Sequence, residues 1–143
     1  MAIKQLTVFV RNHQGALVEI TELFASNGID MRALSIADTQ DFGILRAIVN
    51  NTDEAIRILR NAGHLVQSTD VIAVKISDTP GKLSGALHAL NLAGINVEYL
   101  YAFLARTQRH AYVVLRVADN DAATRALEDA GFHMVSDEDI KKL

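Results

Sequence analysis

The chain has 143 residues, of which 50% are hydrophobic and 22% charged, and its formal net charge at pH 7 is −3. That composition can form a buried core and excludes a disordered chain, and the dispersed lysines and arginines disfavour nucleic acid or an anionic membrane as the main partner. Cysteine is absent, which excludes disulfides and thiolate metal sites, and neither a signal-peptide pattern nor an apolar run of membrane-spanning length occurs, so we expect a cytoplasmic protein.

An internal repeat organises the whole sequence. A shift of 66 positions places Gly15 on Gly81, and a shift of 68 places "DEAIRILRNAG" on "DAATRALEDAG". The slip of two residues lies between the matched blocks, as expected for a surface hairpin that is longer in the second copy. The repeat predicts two small domains, residues 1–69 and residues 70–143.

Each copy begins with a strand that leads into a helix. "KQLTVFV" and "DVIAVKI" are rich in β-branched residues, which is typical of strands. The apolar residues that follow recur at helical spacing and predict one buried stripe in each copy. The stripes are Leu17, Ile20, Leu23 and Phe24 in the first copy, and Leu83, Leu87, Leu90 and Ala93 in the second. Gly28 and Gly94 are placed to end these helices in the left-handed conformation.

A strand hairpin, a second helix and a short strand complete each copy. The hairpin strands are expected around residues 30–38 and 43–49, and around residues 96–105 and 111–118. The second helices are expected to start near Asn51 or Thr52 and near Asn120, whose side chains can cap free backbone N–H groups, and to stop at Gly63 and Gly131. The last strands are expected at residues 65–69 and 132–136.

The order βαββαβ, repeated twice, predicts an α+β fold of two tandem ferredoxin-like units. Each unit is expected to be an antiparallel sheet with two helices on one face. No Gly/Ser-rich linker separates the copies, because "LVQSTDVIAVKI" leads from the last strand of the first copy almost directly into the first strand of the second.

The turn before the first helix of each copy carries a family resemblance. "NHQGAL" is followed by "GIDM" in the first copy, and "DTPGKL" is followed by "GINV" in the second. Within this order of elements the pattern resembles the ACT domain, a small regulatory module of amino-acid metabolism, over essentially the whole chain. The resemblance implies a free amino acid as ligand, bound at this turn and where domains meet. Asp30 departs from the asparagine that is more usual in the family.

The turn also has a chemistry of its own. Gly15 and Gly81 allow a ligand to approach the backbone closely, and the first N–H groups of the helix have no intrahelical partner, so they suit a carboxylate. Oxygen-bearing side chains at the turn and after the helix suit an ammonium group. The predicted ligand-binding residues are Asn12, His13, Gln14, Gly15, Ala16 and Asp30 in the first copy, and Asp78, Thr79, Pro80, Gly81, Lys82, Leu83 and Asn96 in the second.

Ligand-free interpretations of the same residues stay open. The segment 78–81 is also a favourable turn and N-cap sequence that needs no ligand. His13 either touches a ligand or is a solvated loop residue. Tyr99, Tyr101 and Phe103 alternate along one predicted strand, and they line an interface or ligand slot or simply pack on the sheet.

Catalysis is not expected from this sequence. The five histidines have no metal-ligand spacing, and no nucleophile elbow, phosphate-binding loop or dinucleotide fingerprint occurs. We therefore expect no metal and no cofactor. The predicted function is that of a non-catalytic amino-acid sensor acting by allosteric regulation, assembled as a homodimer because exposed sheet edges can pair side by side.

Two other functions are compatible with the sequence. The first is a ligand-free structural or interaction module that serves as the regulatory subunit of a separate biosynthetic enzyme. The resemblance suggests acetolactate synthase, whose small subunits carry ACT domains. The second is a small ferredoxin-like enzyme, whose turnover would survive loss of the turn residues.

Overall fold

The computed structural model describes residues 3–38, 41–104 and 109–143, and it confirms the predicted α+β class. The chain divides into two compact units. The N-terminal unit is Lys4–Thr69, and the C-terminal unit is Asp70–Leu143 together with Ile3. Within the described residues, no helix combines the length and the apolar character that crossing a membrane requires.

The N-terminal unit follows the predicted βαββαβ order. Its elements are β1 (Ile3–Arg11), α1 (Ala16–Ser26), β2 (Met31–Asp38), β3 (Phe42–Val49), α2 (Thr52–Asn61) and the first part of β4 (Leu65–Ser77). β3 pairs antiparallel with both β1 and β2, and the strand order is β2-β3-β1-β4. Thr7 of β1 and Thr69 of β4 lie with their hydroxyl oxygens 3.3 Å apart.

The C-terminal unit repeats this order and adds one helix. Its elements are the second part of β4, α3 (Lys82–Leu92), β5 (Tyr99–Ala102), β6 (His110–Arg116), α4 (Asn120–Asp129), β7 (His133–Met134) and α5 (Asp137–Lys141). β4 pairs antiparallel with β6 and β7, and β5 pairs antiparallel with β6. β4 is one uninterrupted strand of 13 residues, as the sequence between the two copies predicts.

One core in each unit lies between the sheet and its helices. Alternate residues of β1 (Leu6, Val8 and Val10) pack with Ile20 and Phe24 of α1. The equivalent residues of the second unit, including Ile72, Val74, Leu90 and Leu127, form the other core. Burying such side chains contributes about 1.5–3 kcal/mol each relative to leaving them exposed.

The predicted helix stripes are only partly correct. In α1 the buried row is Ala16, Ile20 and Phe24, at spacings of four residues, with Leu23 half-buried. Leu17 lies beside this row and is 43% exposed. The predicted stripe of α3 differs from the observed burial in the same way. Leu83 is 39% exposed and Ala93 is exposed, whereas Ala86 and Leu90 are buried and Leu87 is half-buried.

The bounds of β5 and β7 also differ from the predictions. β5 does not start at residue 96, because the N–H of Ile95 closes the end of α3 on the carbonyl of Leu90, and ladder bonding begins only at Glu98. The end of the predicted strand, residue 105, lies outside the described residues. β7 spans two residues, since the chain turns into α5 directly after Ser136. That last helix was not predicted, although the capping-box pattern S-x-x-D marks its start.

The glycines predicted to end the helices adopt the left-handed conformation. Gly28 and Gly94 have φ values of 68 and 74°, and Gly63 and Gly131 have φ values of 88 and 90°. The second helices begin as expected at Asn51, whose side chain accepts the N–H of Glu54. In the other copy the cap is Asp119 instead of Asn120, because Asp119 accepts the N–H of Ala122 at 3.0 Å.

Candidate functional site

The two strand-to-helix turns have the same backbone geometry. Gly15 and Gly81 both have φ 88° and ψ −9°, and each is the residue immediately before its helix. In this left-handed region a Cβ would clash with the following carbonyl oxygen, which makes glycine the suitable residue. Nothing lies within 4 Å of the place where a Cβ would stand on either glycine, so the space beside each turn is open.

Matching hydrogen bonds hold both turns in place. The N–H of Asn12 donates to the carbonyl of Asp41 at 3.3 Å, and the N–H of Asp78 donates to the carbonyl of Arg109 at 2.8 Å. These bonds fasten each turn to the start of the neighbouring third strand of its unit. The backbone alone therefore fixes the turn, and the side chains of Asn12 and Asp78 stay exposed.

The helices that follow the turns begin without a side-chain cap. α1 and α3 have no side-chain cap hydrogen bond, in contrast to α2, α4 and α5. Within the described residues, no group accepts the N–H of Leu17 or Val18 in α1, or of Leu83 or Ser84 in α3. Asp78 therefore does not act as a side-chain N-cap of α3. The free backbone N–H groups at both helix starts are open to a ligand or water.

A cleft opens beside the turn of the N-terminal unit. Its volume is about 430 Å³, and it lies between the end of β1, the start of α1 and the connection from α2 to β4. The polar residues that line it are Arg11, His13, Glu19 and His64. Nε2 of His64 lies 3.2 Å from Oε1 of Glu19, but the two atoms do not form a hydrogen bond. The contact is an ion pair only when the imidazole is protonated.

The C-terminal unit has a cleft in the equivalent place. Its volume is about 300 Å³, and its lining residues include Lys75, Lys82, Phe132 and His133. The repeat relates the two clefts, because Phe9, Ala16, His64 and Leu65 of the first correspond to these four residues in the same order. The fold therefore builds one cleft beside each turn.

The two clefts differ in chemistry at several matched positions, because Lys75, Lys82 and His133 stand where the first cleft has Phe9, Ala16 and Leu65. Gly85 and Phe132 occupy the positions of Glu19 and His64, and the ring of Phe132 comes within 3.6 Å of where a Cβ would stand on Gly85. An aromatic ring over a glycine thus replaces a carboxylate beside an imidazole.

The predicted site residues separate into three groups. His13 and Ala16 line the first cleft, and Lys82 lines the second. The other turn residues are exposed and do not line either cleft, namely Asn12, Gln14, Gly15, Asp78, Thr79, Pro80, Gly81 and Leu83. Asp30 and Asn96 lie at the far end of the first helix of their units, and α1 with 11 residues separates Asp30 from its turn by about 16 Å.

Asp30 already has partners where it lies. Its carboxylate pairs with Arg32, and its N–H donates to the side chain of Asn50 at 2.9 Å. Within one unit, the structure therefore does not bring the residue after the helix to the turn before it.

Several cleft residues were not predicted from the sequence. Glu19 in the first cleft and Lys75 in the second flank their turns, whereas His64, His110, Phe132 and His133 come from elements distant from the turn. The signal that was available is the repeat itself, which aligns the residues that follow Gly63 and Gly131.

The remaining candidates have structural roles. Tyr101 and Phe103 are buried, with the ring of Tyr99 stacked on Tyr101 at 6.4 Å and that of Phe103 edge-on to Tyr112 at 6.0 Å, so packing accounts for this aromatic row. No group of three metal-ligating side chains occurs in the described parts of the chain.

Comparisons with known proteins agree with this architecture. The model of a family described as an ACT domain pair matches residues 1–143, which confirms the resemblance of both copies. The crystal structure of protein BT0572 from Bacteroides thetaiotaomicron is 35% identical, with a TM-score of 0.93, over 100% of this chain and 98% of that one. No curated protein matches the chain.

Two more distant structures share the fold. The regulatory subunit of aspartate kinase from Thermus thermophilus, in a ligand-free form, is 18% identical with a TM-score of 0.68, over 90% of this chain and 92% of that one. The corresponding subunit from Thermus flavus is also 18% identical, with a TM-score of 0.62, over 89% and 91% of the two chains.

Proposed function

This chain belongs to the ACT domain pair family, and we propose that it is a non-catalytic regulatory protein that binds a free amino acid at the turn and cleft of its units. The observation that carries the proposal is the pair of identical turns, each with a left-handed glycine, an uncapped helix start and a cleft beside it. Fold alone does not fix function, so the chemistry of these sites is the main support.

The open helix start is suited to the carboxylate of the ligand. The free N–H groups of Leu83 and Ser84 carry the positive end of the α3 dipole, which favours a negative charge. The exposed carboxylate of Asp78 is available for the ammonium group. A charged hydrogen bond of this kind contributes about 1.5–3 kcal/mol.

Residues at the far helix ends take part only if they complete the turn of another unit. Asp30 and Asn96 lie a helix length away from the turn of their own unit, so a homodimer that joins a turn to the helix end of its partner would complete the predicted set. Binding at such an interface favours one assembly over another, and this differential affinity is what allosteric regulation requires. The regulated biosynthetic enzyme is then a separate partner.

A thermal-shift screen of the purified protein against the twenty amino acids tests the proposal. A ligand at a hundred times its Kd stabilises the folded state by about 2.7 kcal/mol, which raises Tm by several degrees. We expect a saturable shift with one or two amino acids, lost in Gly81→Val. The control is Asp119→Ala, which removes a helix cap that is not part of the proposed site and keeps the shift. A flat screen with refolded, ligand-free protein would contradict the proposal.

A second candidate function is that of a ligand-free interaction module. Leu17 and Leu83 occupy equivalent positions next to the turns and are both exposed, so each unit presents an apolar side chain there. These leucines are suited to contact with another protein. Replacing both by serine would then weaken dimerisation or partner binding in analytical ultracentrifugation, and the parent protein would show no thermal shift with any amino acid.

A further inference from the structure

The cleft of the C-terminal unit is cationic. Its lining includes the side chains of Lys75, Lys82, His110 and His133, and no carboxylate is among the described residues that form it. This is unusual for a chain whose formal net charge is −3. Neither lysine forms an ion pair within the described residues. The cleft therefore concentrates positive charge where the chain as a whole is acidic.

The sheet holds Lys75 and His133 next to each other. Lys75 of β4 is the direct partner of His133 in β7, so both side chains project from the same face. The carboxylate of Asp139 lines an adjacent cleft and accepts the N–H of Ser136 at 3.0 Å. That bond is the main cause of the lowered pKa of Asp139, and the charge of Lys75 contributes least.

Lys82 stands where a cation destabilises the helix. It is the first residue of α3, at the positive end of the helix dipole, and α3 has no acidic residue in its first turn. The other four helices each have at least one acidic residue there. A negative ligand charge in the cleft would interact favourably with both Lys82 and the helix end.

The N-terminal cleft has a carboxylate and lacks the two lysines, since Phe9 and Ala16 stand at the positions of Lys75 and Lys82. Glu19 lines it next to His64, whereas the matched residue of the C-terminal unit is Gly85, where a Cβ would lie 3.6 Å from the ring of Phe132, a residue that lines the C-terminal cleft. A carboxylate at that position repels an anionic ligand, and glycine does not. The two clefts are therefore equivalent in fold and different in the ligand charge that they accept.

We propose that the cleft of the C-terminal unit selects an acidic amino acid, aspartate or glutamate, and that Gly85 is the position that permits this choice. The inference rests on the proposed function and names the chemical class of its ligand. One carboxylate of the ligand meets the open N–H groups of α3, and the other lies among Lys75, Lys82 and the two histidines. The volume of about 300 Å³ falls at the lower end of the range of about 300–1,000 Å³ for small-ligand sites, in keeping with a ligand of this size.

Isothermal titration calorimetry with matched ligands and variants tests this inference. The ligands are glutamate and aspartate, their neutral analogues glutamine and asparagine, and the ammonium-free diacids glutarate and succinate. We expect glutamate or aspartate to bind at least tenfold more tightly than its amide, with affinity falling as salt is raised. Lys82→Gln and Lys75→Gln should each weaken binding by about tenfold, the effect of losing one charge-assisted contact. Lys4→Gln, an exposed lysine of the other unit, should leave it unchanged.

A pair of variants at Gly85 separates charge from shape. Gly85 has a helical backbone, and a Cβ would meet Phe132 at an ordinary contact distance of 3.6 Å, so both Gly85→Glu and Gly85→Gln should fold. The two side chains are nearly isosteric. We expect Gly85→Glu to weaken glutamate binding at least tenfold relative to Gly85→Gln. Equal affinities in the two variants would overturn the role of this position.

The ligand series distinguishes the inference from the function on which it rests. Binding of a neutral or basic amino acid, without glutamate or aspartate, would overturn the acidic class and leave the proposed function intact. Binding of glutarate or succinate with the same affinity as glutamate would support an anion-binding cleft and contradict recognition of an amino acid. No binding of any of these ligands, or of the other amino acids, would overturn both.

Discussion

Gly15 and Gly81 have the same φ and ψ values, although they belong to different units and only one of them follows a proline. The proline of "DTPG" is therefore not needed for the shape of the turn. The backbone bonds from Asn12 and Asp78 to the neighbouring strand are common to both copies and are sufficient to define it.

Alanine substitutions at Gly81 and Gly85 should change stability in opposite directions. At Gly81, φ is 88° and the space is open, so Gly81→Ala adds only backbone strain and should cost about 1–2 kcal/mol. At Gly85, four residues further on, the backbone is helical, and Gly85→Ala should stabilise by up to about 1 kcal/mol. Urea unfolding of both variants measures the free energies. Destabilisation by Gly85→Ala would show that the contact with Phe132 is already too tight.

Removing a true cap should cost more than removing a turn side chain. Asn51 and Asp119 each accept a backbone N–H of their helix, so replacement by alanine should destabilise by about 1 kcal/mol. Asn12 and Asp78 cap nothing, and their replacement by alanine should change the free energy of unfolding by less than about 0.5 kcal/mol. Thermal unfolding of the four variants side by side makes the comparison. A cost at Asp78 equal to that at Asp119 would favour the ligand-free interpretation, in which the turn serves only as a helix cap.

The repeat made most of the fold predictable from sequence. Because each unit has local signals in the same order, the two turns, the left-handed glycines and the uninterrupted strand between the copies could be recognised without a structure. The sequence pattern could not decide between two neighbouring residues of the same chemical type. Ala16 and Leu17 are both apolar, and the rotation of α1 against its sheet buries Ala16. Asp119 and Asn120 are both capping residues, and only the helix start decides between them.

The clefts were less predictable because residues distant in the sequence form them. His64 and Phe132 follow the second helices and reach the turns only once those helices pack on the sheet. The prediction that Asp30 and Asn96 bind the ligand together with the turn required these residues to lie near it. Within one unit they do not, since they and the turn lie at opposite ends of a helix of 11 residues. Spacing along the chain carries no information on that distance.

The capping box of α5 should make the last helix sensitive to acid. The N–H of Ser136 donates to Oδ2 of Asp139, and this bond holds the pKa of Asp139 below its ordinary value of 3.8. A pKa lowered on folding means that the ionised group adds stability above its unfolded value and loses it as pH falls through the folded value. Asp139→Asn should therefore be less stable than the parent at pH 7 and pH 5, with the difference disappearing well below pH 3.8.

Asp137→Asn is the control for this pH dependence. Asp137 belongs to the same helix turn but contacts only the exposed Lys141, at 3.7 Å. Exposed pairs of this kind contribute little, so the variant should follow the parent at every pH. Amide exchange of Ser136 and Asp139 by NMR reports the local opening directly. A difference for Asp139→Asn that persists unchanged at low pH would mean that shape, and not charge, holds the box together.

Lys82 should show opposite effects on stability and on binding. As the first residue of α3 it opposes the helix dipole, so Lys82→Glu should stabilise the ligand-free protein by about 0.3–1 kcal/mol, with Lys82→Gln between the two. The same change places a carboxylate in a cleft that otherwise lacks one, and glutamate binding should be lost. Unfolding without ligand and calorimetry with ligand give the two readouts on the same samples. A variant that gains stability and still binds glutamate with the affinity of the parent would mean that Lys82 does not contact the ligand. A variant that loses stability would mean that its amine already has a favourable partner in the folded protein.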